Sequence, residues 1–331
     1  MSIWERYPKA ELVALEMYKG GETSITEICR QLRHIYKEDF SYNQVKHKLN
    51  RLLVEEQLDR NPFGLTNIKA NPTNKEVYLI ISDIHIPFEQ ENISKYVKMF
   101  EGYVDGLIIA GDLLDEYAVS SFVQDKEVSL QYEMVRAHEL LSEWASMFNE
   151  IIIIKGNHDE RIDNYVRKNL QPNVLFLIPD NLALRHFETG FKTKDIHGNE
   201  VEYKGIEGLK VVNSWWTKKH DLIIAHPKNF SKVNGKTVVM TDEYFLAYGH
   251  NHRGLIIGHT HMAVKITPNG DRVLMEIGSN CKQMDYANKS GKVNYRPQVN
   301  AVAIATFYDG RISVNETNYF TLDQMLNELR G

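Results

Sequence analysis

The chain has 331 residues, 43% hydrophobic and 25% charged, with a formal net charge of −5, ordinary proportions for two globular domains or one large one. No stretch reaches the roughly 18 uninterrupted apolar residues of a membrane span, and the start MSIWERYPKAEL lacks the basic region and apolar run of a secretory signal. Two cysteines, Cys29 and Cys281, exclude a disulfide framework and a thiolate zinc cluster; the expected compartment is the cytoplasm, and any nucleic-acid contact of so acidic a chain must come from a local patch.

Residues 1–60 read as a small all-α domain. Ala10 to Tyr18 has helical apolar spacing and stops at Gly20-Gly21. Thr23 or Ser24 caps a second helix with Ile25, Ile28, Cys29 and Leu32 on one face, and Ser41 caps a third with Val45, Leu49, Leu52 and Leu53 as its stripe. Three short helices in this order suggest a helix-turn-helix. Residues 61–75 are rich in turn formers and read as a linker or a wing.

From residue 76 to 331 short apolar runs alternate with amphipathic stretches such as Glu133 to Phe148 and Arg161 to Asn169, an α/β layout. Val77 to Ile81, Gly106 to Ala110, Ile151 to Ile154, Asp221 to Ala225 and Leu255 to Ile257 are almost continuously apolar, as strands covered on both faces are. Residues 170–220 read as loops and minor strands, and Ala301 to Phe307 with Gly310 to Val314 as a late hairpin.

Each of those five runs leads at once into side chains that bind metals. They are Asp83-Ile84-His85, Gly111-Asp112-Leu113-Leu114-Asp115, Gly156-Asn157-His158-Asp159, His226, and Gly258-His259-Thr260-His261. Loops at the carboxyl ends of α/β strands converge over one crevice. Oxygen and imidazole donors without thiolate suit Mn²⁺, Fe²⁺, Zn²⁺ or Mg²⁺, with Mn²⁺ the first to try. Seven ligands suit two ions sharing a carboxylate, a pair that clamps a phosphoryl group and activates water for in-line attack.

The ordered set D-x-H, G-D-x-x-D, G-N-H-D, H and G-H-x-H resembles the calcineurin-like metallophosphoesterase superfamily, over about Lys75 to Gly278. The resemblance implies an α/β fold, a two-sheet sandwich flanked by helices. It implies that Asp83, His85 and His261 hold one metal, that Asn157, His226 and His259 hold the other, and that Asp112 bridges them. His158 would protonate the leaving-group oxygen, with Asp159 orienting it, and Gly111, Gly156 and Gly258 would allow tight turns beneath the ions. His226 stands alone before Pro227 but ends its strand, whereas His220 begins one. A second G-H-x-H, Gly249 to His252, follows the aromatic FLAY instead of an apolar strand, so His250 and His252 are expected at the rim or in a polar loop.

The protein phosphatases of that superfamily carry G-D-x-V-D-R-G and G-N-H-E. Here Glu116 and Tyr117 stand in place of the Arg-Gly and Asp159 in place of the Glu, which is more similar to the phosphodiesterase side, including DNA-repair exonucleases and cyclic-nucleotide phosphodiesterases. Arg161 either clamps a substrate phosphate or simply opens a helix. Lys46, His47, Lys48 and Arg51, behind Tyr42, Asn43 and Gln44, give the third helix a DNA-reading pattern, although small helical units also serve protein contacts. Similar pairings with this core occur among phage and prophage proteins. The expectation is a dimetal phosphoesterase that cleaves phosphodiester bonds in nucleic acid, held on DNA by its N-terminal domain. The alternative is an enzyme for small or cyclic nucleotides with an N-terminal protein-interaction domain. A monomer and a dimer are equally compatible with the sequence.

Overall fold

The computed structural model describes residues 3–19, 24–46, 48–49, 74–120, 127–194, 198–283 and 298–330. The chain divides into two units, Met1–Thr66 and Asn67–Gly331. Among the described residues no helix is long and apolar enough to cross a membrane.

In the first unit, helices Ile3–Arg6, Lys9–Lys19 and Ile25–Tyr36 are followed by helical residues 42–46 and 48–49. Ser24 caps the third helix by accepting from the Glu27 amide. Ser41 forms a capping box: its hydroxyl accepts from Gln44 N at 3.4 Å, and its amide donates to Gln44 Oε1 at 3.0 Å. Ala10, Ala14, Ile28, Cys29, Leu32, Phe40, Val45 and Leu49 close into one core, each large member contributing about 1.5–3 kcal/mol of burial. Lys48 turns onto the neighbouring helix, 2.6 Å from Glu11 Oε1. Thr23, His47, Arg51, Leu52, Leu53 and the expected wing lie outside the described residues.

The second unit contains β1 (Lys75–Ile81), β2 (Gly106–Ala110), β3 (Glu150–Ile154), β4 (Phe191–Lys194), β5 (Glu200–Tyr203), β6 (Leu209–Val212) and β7 (Trp216–Lys219). It continues with β8 (Leu222–Ala225), β9 (Gly254–Ile257), β10 (Ala263–Ile266), β11 (Val273–Ile277), β12 (Ala301–Tyr308), β13 (Arg311–Ile312) and β14 (Asn318–Thr321). One sheet runs β13-β12-β1-β2-β3-β6, with β14 also on β12; the other runs β10-β11-β9-β8-β7. The central strands β1, β2, β3 and β6 are parallel, as are β8, β9 and β11.

The two sheets face each other across a shared core. Ile80, Ile108 and Ile154 from one pack with Ile224, Ile256 and Met275 from the other. The strand period of two sends their neighbours Ile223, Ala225, Leu255 and Ile257 outward onto Val238 and Phe245 of the helix Lys236–Ala247. Every β8 and β9 side chain is thus buried, which is why these runs carry no polar residue. The late hairpin is present: Tyr308 pairs with Arg311 across Asp309-Gly310, whose φ values of 50° and 72° make the primed turn that suits strand twist. In the 170–220 stretch β4 and β5 form a separate two-stranded sheet.

Candidate metal centre

The carboxyl ends of β1, β2 and β3 meet those of β8 and β9, so both sheets deliver side chains to one place. The loop after β1 is zipped onto the loop after β2: Asp83 N donates to Gly111 O at 3.1 Å, and Ile84 N and His85 N to Asp112 O at 2.9 and 3.0 Å. Asp83, His85, Asp112, His259 and His261 all adopt left-handed backbone, with φ of 53°, 50°, 53°, 78° and 55°. Such a conformation costs roughly 1–2 kcal/mol in an L-residue and persists only where the surroundings impose it. The motif glycines make room. A Cβ on Gly156 would lie 2.1 Å from Asp112 Oδ1, and one on Gly258 1.9 Å from Ser82 Oγ.

The seven expected ligands come together in two overlapping clusters. In the first, Asp83 Oδ1 is 3.2 Å from His261 Nε2, and His85 Nε2 is 3.4 Å from His261 Nε2 and 3.7 Å from Asp112 Oδ2. In the second, His226 Nε2 is 3.2 Å from both Asp112 Oδ2 and Asn157 Oδ1, and His259 completes the group. Asp112 belongs to both. Two atoms of the clusters are buried and poorly partnered: His259 Nε2 has no hydrogen bond, and Asp83 Oδ1 has only the His261 ring 3.2 Å away. A buried orphan of this kind is costly, and a divalent cation is the partner these donors fit. Outer hydrogen bonds aim the rings: His226 Nδ1 donates to Ala110 O at 2.7 Å and His85 Nδ1 to Asp115 Oδ1 at 3.1 Å, leaving both Nε2 atoms for an ion.

His158 sits beside the first cluster, its ring edge-on to His85 at 4.3 Å. The residue that orients it is Asp115, not Asp159. His158 Nδ1 donates to Asp115 Oδ1 at 2.8 Å. Asp159 points the other way, its two oxygens accepting from Leu114 N and Gly156 N at 2.9 Å each, so it ties the β2 and β3 loops together. The sequence signal for Asp115 was the second carboxylate of G-D-x-x-D. Arg161 opens the helix Arg161–Asn169 and also reaches His158: Nη2 is 3.0 Å from His158 Nε2, and Nη1 donates to Asp115 O at 2.6 Å. Glu116 is buried, accepting from Ile162 N at 2.5 Å, while its own amide donates to Glu133 Oε2 at 2.7 Å.

Charges in the metal-free cluster hold one another in place. Burial opposes ionisation of Asp112, but the imidazoles of His226 and His158 outweigh it and keep the carboxyl far below its usual range. Burial likewise works against charge on His226, yet Asp112 and Asp83 push it up to about 9. His259, buried and facing charged His226, falls to about 4. His158 is lowered, chiefly by burial.

The second G-H-x-H is structural and does not reach the rim. His252 Nε2 lies 2.7 Å from Asp242 Oδ1, which Arg272 also holds, and the His250 ring packs on Trp216 at 4.8 Å. His220 is 2.8 Å from Glu76 Oε1, at the amino end of β1, the end opposite Asp83 and His85. Cys281, set aside on cysteine count, proves to be a neighbour of His85 and His261, its sulfur grouped with their ring nitrogens.

Residues 77–263, more than half of the chain, match the sequence profile of a family described as calcineurin-like phosphoesterase. No curated protein matches the chain in sequence. Similar solved structures include a metallophosphoesterase from Sphaerobacter thermophilus, 13% identical, covering 77% of this chain and 93% of that one with a TM-score of 0.35. Vps29 of Chaetomium thermophilum is 9% identical, covering 74% and 96%, at 0.33. A dimetal phosphatase of Danio rerio is 8% identical, covering 74% and 98%, at 0.32. Likenesses this distant carry no functional argument, so membership rests on the sequence match.

Proposed function

The chain belongs to the calcineurin-like phosphoesterase family and is a metal-dependent phosphoester hydrolase, and from that premise we propose that its substrate is a phosphodiester of nucleic acid. The observation that carries this reading is the place of Glu116. Where the protein phosphatases present an arginine, this chain buries an acid, and the cation near the acid histidine is Arg161 instead.

Asp83, His85 and His261 would hold one divalent ion, Asn157, His226 and His259 the other, with Asp112 shared; Mn²⁺ is the ion we favour. When bound, the pair supplies positive charge against the phosphoryl oxygens and lowers the pKa of a water nucleophile. His158 supplies the leaving group's proton from Nε2, since Asp115 fixes Nδ1–H and so the ring's orientation. Arg161 lies against that Nε2 in the resting enzyme. An incoming phosphate draws the guanidinium to its oxygens, which frees Nε2 and favours its protonation.

The N-terminal unit would hold the enzyme on DNA through its capped fourth helix, where Lys46 is exposed. One observation favours the second reading, a small-nucleotide phosphodiesterase with a protein-binding N-terminal unit: Lys48, expected to meet phosphate, is taken by Glu11. The deciding experiment strips the protein with chelator, restores Mn²⁺, and offers linear and circular DNA, single- and double-stranded, beside small mono- and diesters. Cleavage of DNA that vanishes in Asp112→Asn supports the nucleic-acid reading. Hydrolysis of the small esters alone rejects it.

A further inference from the structure

We propose that a pocket adjoining the metal centre receives a nucleobase, so that the scissile phosphate arrives with a neighbouring base stacked beside it. This rests on the phosphodiesterase reading and deepens it. The pocket, about 440 Å³, is walled by Trp215, Pro227, Phe230, Met240 and Tyr244, a size within the range of small-molecule sites.

Two features join it to the centre. Pro227 follows His226 directly in the chain, and the Phe230 ring stands edge-on to His259 with centroids 5.2 Å apart. One wall is therefore a single ring away from a residue of the second cluster. The outer wall is the helix Lys236–Ala247, where Met240 and Tyr244 lie one turn apart and the Trp215 ring meets Tyr244 at 5.8 Å.

Phe230, Met240 and Tyr244 are 48%, 51% and 44% exposed. A protein that buries nearly every apolar side chain of the adjacent sheet leaves these three around one hollow, which is the signature of a binding surface. The occupant must be flat and π-faced to use the aromatic walls. A polar edge on the occupant suits the hollow too, because the polar residues Asn229, Ser231, Thr237 and Thr241 are among its lining. Lys228 also lines the hollow, where its ammonium is held by Glu160 and would reach an anionic backbone only by exchanging that partner. A nucleobase joined through sugar to phosphate meets all three demands. A phosphotyrosine ring has no such polar edge and is the weaker fit.

The test uses the full chain loaded with Mn²⁺ and compares kcat/KM for thymidine and adenosine 5′-(p-nitrophenyl phosphate) with that for methyl p-nitrophenyl phosphate. Base stacking predicts a preference of roughly 10- to 100-fold for the nucleoside esters. Tyr244→Ala and Met240→Ala should each shrink that ratio several-fold; both sites are exposed on a helix, where Ala is well tolerated, and the methyl ester reports any loss of folded enzyme. A wild-type ratio near one, or a ratio that neither variant moves, overturns the proposal while leaving the hydrolase reading intact. A preference for a phosphotyrosine peptide that depends on Tyr244 also overturns it. If no diester is cleaved, the phosphodiesterase reading fails by itself, and adenosine monophosphate titrated against tryptophan fluorescence still decides the pocket. Saturable quenching lost in Tyr244→Ala supports it, and its absence refutes it.

Discussion

Replacing Glu116 with Gln should stabilise the protein at alkaline pH and do little at acidic pH. Burial is the main force on this carboxyl, reinforced by Asp159 and Glu133, and pushes it from an ordinary 4.5 up to about 9. The folded chain thus keeps a proton that the unfolded chain releases. Stability is full below pH 4.5 and drains away as pH climbs toward 9. At 1.36 kcal/mol per pH unit, the span from pH 5.5 to 8.0 removes about 3 kcal/mol. Gln has no proton to lose. Its carbonyl can still accept from Ile162 N, and its amide occupies the place of Glu116 Oε1, which has no hydrogen-bond partner. Glu133, pushed up to about 8 by its own burial, is present in both proteins and enters the comparison only through its coupling to Glu116. Thermal melts of chelated wild type and Glu116→Gln at pH 5.5 and 8.0 give the answer. For a unit of this size the stability gap should widen by about 6–10 °C at the higher pH. A gap of equal size at both pH values would refute the reasoning, because it would mean that Glu116 titrates normally in the fold.

Metal affinity should also follow pH. His226 must lose the proton it holds up to about 9 before Nε2 can bind an ion, so Mn²⁺ affinity measured by competition with an indicator should fall about 100-fold from pH 8 to pH 6; a flat profile would show that the ring is already neutral. Asp115→Asn should lower kcat by about 10²–10⁴-fold through His158, whereas Asp159→Asn should chiefly lower the melting temperature, because its oxygens hold only backbone amides. Gly258→Ala forces a Cβ against Ser82 Oγ and Ala110 O and should cost about 1–3 kcal/mol together with metal binding, read by melting and metal content. If the N-terminal unit grips DNA, Lys46→Ala should weaken binding alike on all sequences and reduce the salt slope by about one. Lys48→Ala should instead cost about 0.5–1 kcal/mol of stability through the lost pair with Glu11.

The strands that build the centre were legible because their residues are buried on both faces, which leaves uninterrupted apolar runs such as GLIIA and LIIA ending at the candidate ligands. The half-exposed strands β4, β5 and β7 offered no such signal, although each pairs with a strand next to it in the chain, β4 with β5 and β7 with β8. Sequence adjacency misassigned the residue behind His158. The turn at G-N-H-D sends the neighbouring Asp159 back toward Gly156, and the true partner, Asp115, comes from the loop after β2. The duplicated G-H-x-H could be sorted because its first copy follows the aromatic FLAY, which the structure places at the end of a helix, and its second the apolar strand GLII. Lys48 misled for another reason: no acid lies beside it in its own helix, and Glu11, its partner, is on a different one.

The zipper between the loops after β1 and β2 has a bearing on how the enzyme is loaded in a cell. Those loops are held by main-chain bonds that prolong the β1–β2 ladder as far as Ile86 and Leu114, so their shape is owed to the scaffold and not to the ions. The site is a socket rather than a clasp. In a zinc finger the metal organises the chain, and removal of the metal undoes it; here main-chain bonds already shape the loops that carry Asp83, His85 and Asp112. Chelated protein should therefore keep its fold, which circular dichroism with and without chelator checks.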